Sequence, residues 1–328
     1  MNVLQRPREY EFCATMQDYI IDTDVTIRFS VQYGGRTILD EDYVPDGNNQ
    51  VRIRRLGKFC AMALWGVWPD GEHTLQTTAA GSFIFLIDGI QDAQSFVMYS
   101  RMQTTKAADT PALLSEVNRK VTHAGVVEYA SGDRTAGGYI LTGIDTLGDE
   151  KSRTMLVSGG ESSMLTVDAG YSRVCSLLGA DALQSYKVHF NGGTLEFLVD
   201  PTNYGQLWQF RFKNVYDMPE VLTATGGLTV SAADESDTAL MWGVERKFGV
   251  KVTDEYTANS GVILLQSDYR LWRDMLHAQE VQVKAGENWL PIVITNMKYD
   301  RDFRRSTLKT VEFSFRLADD TQSNLMDV

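Results

Sequence analysis

Apolar and polar side chains alternate over residues 25–33 of the chain, and this alternation restricts the local structure to a β-strand. The apolar residues there fall on one face of an extended chain, because successive side chains in a strand point to opposite faces. The same alternation recurs in Trp208–Lys213 and in Val311–Leu317. The chain is therefore predicted to be mainly β, with one face of each such strand turned towards a core.

Paired glycines interrupt two of these patterns and predict β-hairpins. Gly34-Gly35 follows the first strand, and Gly192-Gly193 follows a similar alternation that starts near Val188. Glycine favours such turns because it adopts a positive φ without steric cost. The likeness of the two hairpin sequences is consistent with a duplicated β domain, and equally with two unrelated hairpins.

Helical patterns are scarce. Residues 54–64 and 172–178 predict one short helix each. Residues 268–278 give the strongest pattern, with Asp268 as a candidate N-cap and apolar residues at helical spacing. Without a regular alternation of strands and helices, the sequence favours two or three antiparallel β-sandwich or barrel-like domains with a few short helices.

The length of 328 residues exceeds that of a typical single domain. Small and polar residues at 106–115 and 223–238 are candidate linkers. They predict a β-sandwich-like domain at 1–110, a second β-rich domain at 111–225 and a C-terminal α+β domain at 226–328 that ends in a strand.

Charge and composition exclude several classes of function. The chain has 31 basic and 43 acidic residues, a net charge of −12, so we expect no nucleic-acid partner. Arg301, Arg304 and Arg305 are interleaved with acidic residues, which is typical of a solvated loop. The N-terminus lacks the apolar core of a signal peptide, and the longest apolar run is ten residues. We therefore expect synthesis in the cytoplasm without a signal peptide, and no membrane insertion.

No catalytic signature is present in the sequence, and we predict no enzyme activity, cofactor or metal. The three cysteines have no metal-ligand or disulfide spacing, and the four histidines are far apart. Four glutamates lie on or beside predicted strands, where a carboxylate pair could hydrolyse glycans. With 43 acids such placements arise by coincidence, and none is assigned a role: Glu128, Glu196, Glu220 and Glu280.

Aromatic side chains are the remaining resource for binding. We expect Trp65, Trp68, Trp208 and Trp272 in the core. Trp289 follows Gly286-Glu287-Asn288 and is the tryptophan expected near a surface loop.

Three segments carry a resemblance to a known group of proteins. They are Phe210–Glu220, Trp289–Thr295 with Phe313–Asp319, and the opening strand and Gly-Gly turn with Tyr43–Gly47. Together they resemble poorly characterised, prophage-encoded β-rich proteins of about this length, which are tail or baseplate components. The group carries glycine where this chain has Asp217. The resemblance transfers no catalytic residue.

The leading interpretation is a structural, non-enzymatic component of a phage tail, a baseplate or a tail-derived injection machine. It implies a place in a virion or injection particle and contacts with itself and with neighbouring tail proteins. A candidate interaction surface comprises Trp289, Tyr216, Met218, Pro219 and Glu220. Two alternatives stay open: a carbohydrate- or receptor-binding β module, and a glycan or peptidoglycan hydrolase.

Overall fold

The computed structural model describes residues 1–103, 114–115, 118–123, 125–133, 137–158, 164–298, 309–319 and 325. These residues form strands in five sheets, together with three α-helices and one short 3-10 helix. The prediction of a mainly β chain with a few short helices is confirmed.

The first part of the chain is a sandwich of two sheets. A five-stranded sheet has the order β2-β9-β8-β4-β5, and a three-stranded sheet has the order β1-β3-β6. Their inner faces meet where the rings of Tyr19 and Phe29 lie 5.0 Å apart, edge to face. The elements are β1 (Asn2–Gln5), β2 (Tyr10–Phe12), β3 (Tyr19–Asp22), β4 (Ile27–Tyr33), β5 (Arg36–Tyr43), β6 (Gln50–Ile53), α1 (Leu56–Met62), β8 (Ala80–Ile87) and β9 (Ile90–Met98).

The middle part has a second core between two further sheets. The five-stranded order is β10-β16-β15-β12-β13, and the three-stranded order is β11-β14-β7. Strand β7 comes from the first part of the chain, so the first two parts share a sheet. The elements are β7 (His73–Gln76), β10 (Asn118–Thr122), β11 (Tyr129–Asp133), β12 (Gly138–Asp145), β13 (Glu150–Leu156), β14 (Met164–Asp168), α2 (Tyr171–Leu178), β15 (Leu183–Phe190) and β16 (Gly193–Asp200).

The last part is one seven-stranded sheet with the order β18-β17-β21-β22-β23-β20-β19. Helix α3 packs on it through Trp272, which contacts Phe210 and Phe313 in the core. The elements are β17 (Trp208–Lys213), β18 (Pro219–Ala224), β19 (Leu228–Met241), β20 (Val244–Asn259), α3 (Gln266–Leu276), β21 (Val281–Ala285), β22 (Asn288–Lys298) and β23 (Glu312–Leu317).

The predicted linker at 223–238 is wrong. Residues 223–224 end β18 and residues 228–238 belong to β19, and only the short turn around Gly226 is irregular. Small and polar residues there belong to an exposed strand, whose backbone hydrogen bonds are made with β20.

The predicted domain division remains a prediction. The sheet itself continues across residue 225, since β17 and β18 pair within it. Most of the 106–115 linker lies outside the described residues, as do Arg301, Arg304 and Arg305.

Both predicted hairpins and all three predicted helices are present. The hairpins are β4–β5 and β15–β16, and the duplication stays a hypothesis. The predicted N-cap of α3 is wrong, because Leu265 occupies that position. Asp268 lies instead in the first turn and is buried.

The three parts meet at a small apolar cluster. Phe12 comes from the first part and Met164 from the middle one, and Tyr216 and Met218 come from the turn between β17 and β18. The rings of Phe12 and Tyr216 lie 5.5 Å apart. The turn is held by Asn214, whose Oδ1 accepts hydrogen bonds from two backbone N–H groups of that turn.

Candidate assembly surface

Strands β19 and β20 form a long hairpin, which we call the arm. The two strands are antiparallel and pair from Leu228 opposite Ala258 to Met241 opposite Val244. One bulge near Asp237 shifts the register. Only Tyr256–Asn259 of β20 also pairs with β23. Beyond that point the described strands show no third partner. At a rise of 3.3–3.4 Å per residue, the part of the hairpin beyond the pairing with β23 extends roughly 33 Å from the sheet.

The arm ends in a two-residue turn, Trp242-Gly243. Both residues have a positive φ, 56° and 76°, as a type I′ hairpin turn requires. Glycine tolerates this conformation, whereas a tryptophan rarely adopts it. The turn therefore holds a large aromatic ring at the apex of the hairpin, where its side chain is 95% exposed.

Large apolar side chains surround this turn in solvent. Leu240 is 75% exposed, and Met241, Val244 and Phe248 are each about half exposed. Isolated exposed apolar residues are ordinary on a protein surface. Several together at the end of a projecting hairpin are typical of an interaction site.

The two edges of the seven-stranded sheet differ. Strand β18 is covered by the middle part of the chain, since Nη2 of Arg119 donates to the carbonyl oxygen of Val221. Strand β19 has no neighbour on its outer side among the described strands. Its backbone groups there offer a row of hydrogen-bond donors and acceptors, which is a template for pairing with another chain.

The covered edge rests on a buried ion cluster. Arg119 donates from Nη1 to Oε2 of Glu220 at 2.7 Å and from Nη2 to Oε2 of Glu128 at 3.1 Å. Asp268 approaches the Nε atom of Arg119 at 4.0 Å. All four residues are buried. Arginine suits such a position because its planar guanidinium binds several carboxylates at once.

The electrostatics of this cluster are dominated by burial. Loss of hydration raises the pKa of Glu128 to about 8, and the nearby guanidinium of Arg119 opposes this shift. The cavity beside the cluster has a volume of about 30 Å³, which is the space of roughly one water molecule. Both glutamates are engaged by the arginine. The arrangement holds two parts of the chain together.

The other two glutamates considered from the sequence form surface ion pairs. Glu196 contacts Nζ of Lys187 at 3.3 Å, and Glu280 contacts Nζ of Lys213 at 3.2 Å. Among the described residues, no group of three or more histidine, cysteine or acidic side chains is arranged to hold a metal ion. The three cysteines are buried and free.

The candidate surface from the sequence is mostly internal. Tyr216, Met218, Pro219 and Glu220 are buried within the chain, so their expected exposure is wrong. The physical reason is that the turn after β17 packs into the apolar cluster where the three parts of the chain meet. This turn also binds Gly66, whose backbone N–H donates to Oδ2 of Asp217 at 2.6 Å.

Trp289 is half-buried and stacks inside the chain. The guanidinium carbon of Arg211 lies 4.7 Å from its ring centroid and 4.5 Å from that of Trp68. Arg211 thus contacts two indole rings, one from the first part of the chain and one from the last part. Such cation–π contacts stabilise a junction that is partly shielded from water.

Other tryptophans depart from the expected core. Trp272 is buried as predicted, Trp68 and Trp208 are half-buried, and Trp65 is 51% exposed.

Trp242 lies at the centre of the candidate surface, and it was not predicted from the sequence. The signal that identifies it is a Trp-Gly pair between two extended segments, which is unusual for a hairpin turn and therefore easily overlooked.

Among the described residues, no helix is long and apolar enough to cross a membrane. No protein-family model matches the chain, and no curated protein matches it.

Solved structures include weak neighbours. One is a chain in the virion of a native gene transfer agent particle, with 13% identity, a TM-score of 0.26, and coverage of 36% of this chain and 95% of that one. Another is in the tail of an empty gene transfer agent particle with C6 symmetry, at 14% identity, a TM-score of 0.22, and 29% and 77% coverage. A third is the I9-I11 tandem from titin, at 7% identity, a TM-score of 0.18, and 78% and 93% coverage. At these TM-scores none of the three assigns a fold or a role to the chain.

Proposed function

We propose that the chain is a non-enzymatic structural subunit of a phage tail, a baseplate or a tail-derived injection machine. It works by assembling with copies of itself and with neighbouring tail proteins. The observation that carries this proposal is the projecting arm, whose 14-residue strand β19 pairs with β20 on one side and has no partner on its outer side among the described strands.

An unpaired strand edge of this length exposes a protein that acts alone to unwanted pairing with other chains. Natural proteins shield sheet edges by keeping them short, charged or covered. The edge strand β5 carries Asp40-Glu41-Asp42, and β19 itself carries Asp234, Glu235 and Asp237. Strand β19 is long and projects from the body, which favours pairing with another chain in the finished assembly.

The asymmetry of the seven-stranded sheet supports a head-to-tail contact. One edge is buried against the middle part through Arg119, and the other has no neighbour among the strands that the structure describes. A contact that uses an open edge on one copy and a different surface on the next is heterologous. Such contacts generate rings or helical stacks, the architectures of tails and baseplates.

The described residues support the two alternatives, a carbohydrate-binding module and a glycan hydrolase, less well than a structural subunit. Sugar-binding platforms use exposed, coplanar aromatic rings. The near-parallel ring pairs here each contain a buried ring: Tyr33 with Phe83, Tyr186 with Phe197, and Tyr256 with Phe315. The hydrolase alternative needs two carboxylates that face a substrate, whereas Glu128 and Glu220 both bind Arg119.

The place in a particle is tested by mass spectrometry of particles sedimented from an induced culture of the source organism. We expect many copies of the chain per particle. Its absence from intact particles would contradict the proposal.

The role of the arm is tested with a shortened variant. Residues 234–252 are replaced by Asn-Gly, which closes a two-residue turn on the pair Ala233 and Thr253. This variant keeps the pairing of Tyr256–Asn259 with β23. We expect it to fold with an unchanged far-ultraviolet spectrum and to lose concentration-dependent assembly in sedimentation velocity. Assembly equal to that of the full chain would exclude the arm.

A further inference from the structure

Three sheet edges in the described part of the chain are long enough to pair with a strand of another molecule over two turns of the pleat or more. Strands β5, β13 and β19 each end a sheet and have 8, 7 and 14 residues, whereas the other described edge strands have six or fewer. Each of the three pairs on one side only among the described strands. The outer N–H and C=O groups of such a strand can pair with a further strand.

The charges of these three edges differ. Strand β5 has one basic and three acidic residues, and β19 has three acidic residues and no basic one. Strand β13 has two basic residues, Lys151 and Arg153, and one acidic residue, Glu150. Opposite charges on neighbouring strands are stabilising, and like charges directly opposite each other are destabilising. Of the three edges, β13 therefore suits β19, whereas β5 and a second β19 do not.

The strand behind β19 keeps the arm acidic. Strand β20 carries three basic and three acidic residues, so the two strands together have a net charge of −3. The bulge of the arm adds its extra residue to β20, because Glu235 lies opposite Lys251 and Asp237 lies opposite Phe248. The backbone of β19 therefore stays regular, as pairing with a further strand requires.

The residues around β13 confine its positive charge to one short segment. Two further acidic residues, Asp145 and Asp149, lie with Glu150 at the turn between β12 and β13. Lys151 and Arg153 follow this turn, and the remainder of the strand is uncharged. The Nζ atom of Lys151 is 3.8 Å from Asp145, and both basic side chains reach solvent. An acidic strand therefore fits β13 in only a few registers.

One antiparallel register matches the charged segments. With Ser152 opposite Ser236, Lys151 lies opposite Asp237, and Arg153 also lies opposite an acidic residue. Directly opposite residues share a face of the sheet, so their charges are neighbours.

The same register avoids like charges and covers apolar surface. Glu150 lies opposite the uncharged Thr238, whereas a parallel alignment of the two serines would set Glu150 beside Asp234. The register also brings Met241 next to Leu147 in the turn between β12 and β13. Leu147 is 87% exposed and Met241 is half exposed, so both lose contact with water in the pair.

We propose that β19 of one copy adds to the outer edge of β13 of the next copy as an antiparallel strand, with Ser236 opposite Ser152. This inference rests on the proposed function, because it names the surface that receives the arm in the assembly. The seven-stranded sheet of one copy and the five-stranded sheet of the next then form one continuous sheet. Because the two edges are different surfaces, the contact repeats head to tail.

Cysteine cross-linking of the full chain tests this contact. Opposite Cα atoms of antiparallel strands lie about 4.5–5.5 Å apart, a distance that a disulfide spans. Ser152→Cys protein is mixed with Ser236→Cys protein under mild oxidation and separated on a non-reducing gel. We expect a disulfide-linked dimer from the mixture and none from either variant alone. The three native cysteines are buried.

A chain that carries both substitutions tests the head-to-tail geometry. We expect it to give a ladder of disulfide-linked multimers, because each copy then offers both halves of the contact. A dimer from Ser236→Cys alone would assign the contact to two β19 strands. An internal cross-link within one chain would assign it to the chain's own β13. Either result would overturn the inference.

Thr229→Cys is the matched control for the register. Thr229 is exposed on the same strand, seven residues from Ser236, which is roughly 23 Å along an extended chain. We expect it to form no cross-link with Ser152→Cys. Equal yields at positions 229 and 236 would indicate random collision and refute the contact.

A charge swap tests the pairing of Lys151 with Asp237. Lys151→Glu, added to the Ser152→Cys protein, is expected to lower the association constant with the Ser236→Cys protein roughly fivefold. Asp237→Lys, added to the Ser236→Cys protein, is expected to restore it. An association constant that neither change alters would contradict the register.

This contact and the structural role are tested separately. Self-association in sedimentation velocity without a cross-link between positions 152 and 236 would overturn the contact and leave the structural role in place. Absence of the chain from intact particles would contradict the structural role, whatever cross-links form between purified copies.

Discussion

Nη1 of Arg119 donates a hydrogen bond of 2.7 Å to Oε2 of Glu220, and both side chains are fully buried. Arg119 belongs to the middle part of the chain, and Glu220 lies in the edge strand of the seven-stranded sheet. The bond therefore closes one edge of that sheet against the rest of the protein.

Replacing Glu220 with Gln leaves the buried guanidinium of Arg119 without one of its countercharges. We expect the free energy of unfolding to fall by about 3 kcal/mol, because removal of one partner from a buried ion pair is strongly destabilising. Urea denaturation followed by circular dichroism measures it. Glu196→Gln is the control: its pair with Lys187 is on the surface, and a loss within about 0.5 kcal/mol is expected. Equal losses in both variants would refute the structural role.

The raised pKa of Glu128 predicts a pH dependence of stability. Between its ordinary value of 4.5 and about 8, Glu128 holds a proton in the folded chain that it has released in the unfolded chain. The folded state binds more protons there, so stability falls as the pH rises through this window. Glu128→Gln mimics the protonated form and removes this contribution. The stability of the wild type relative to Glu128→Gln should therefore drop by about 1 kcal/mol or more between pH 5 and pH 8. Urea titrations at several pH values measure it, and a constant difference would contradict the prediction.

The stacked position of Arg211 makes its replacement by lysine costly. Lysine keeps the charge but lacks the planar group that lies between Trp68 and Trp289. We expect Arg211→Lys to destabilise the chain by about 1–2 kcal/mol in urea denaturation. Arg28→Lys provides the comparison, since Arg28 forms an exposed ion pair with Asp40 and its loss should cost about 0.5 kcal/mol or less. The prediction fails if the two variants are equally stable.

Asp217 has a φ of 59°, in the left-handed region that favours glycine. Alanine and glycine at this position both remove the carboxylate that accepts from Gly66, but only alanine keeps a Cβ. Asp217→Gly is therefore expected to be more stable than Asp217→Ala by about 1 kcal/mol. Thermal unfolding of the two variants side by side measures the difference. An alanine variant at least as stable would show that the backbone is not strained there.

Sequence reasoning succeeded where the physical signal is local. Alternation over residues 25–33 and 208–213 identified strands, because burial of one face of a sheet imposes a period of two on the sequence. The paired glycines identified two hairpin turns, since few other residues adopt a positive φ. The apolar spacing in 268–278 identified α3, although Asp268 was assigned to the cap when it serves the buried cluster.

Sequence reasoning failed where burial depends on distant partners. The segment around Tyr216 and Met218 has the composition of a loop, and nothing local shows that Phe12 and Met164 close over it. Residues 223–238 look like a linker because their side chains are small and polar. Their strand exists through backbone pairing with β20, which composition does not report.

By itself, the sequence determined that the chain is mainly β, where its two glycine-rich hairpins turn and which segments form helices. These depend on side-chain periodicity and on backbone sterics within a few residues. Only the tertiary structure decided that Arg119, Glu128 and Glu220 meet, that Trp289 faces Arg211, and that Trp242 is exposed at the end of the arm. Those relationships depend on which strands become neighbours, and hence on contacts between residues that are far apart along the chain.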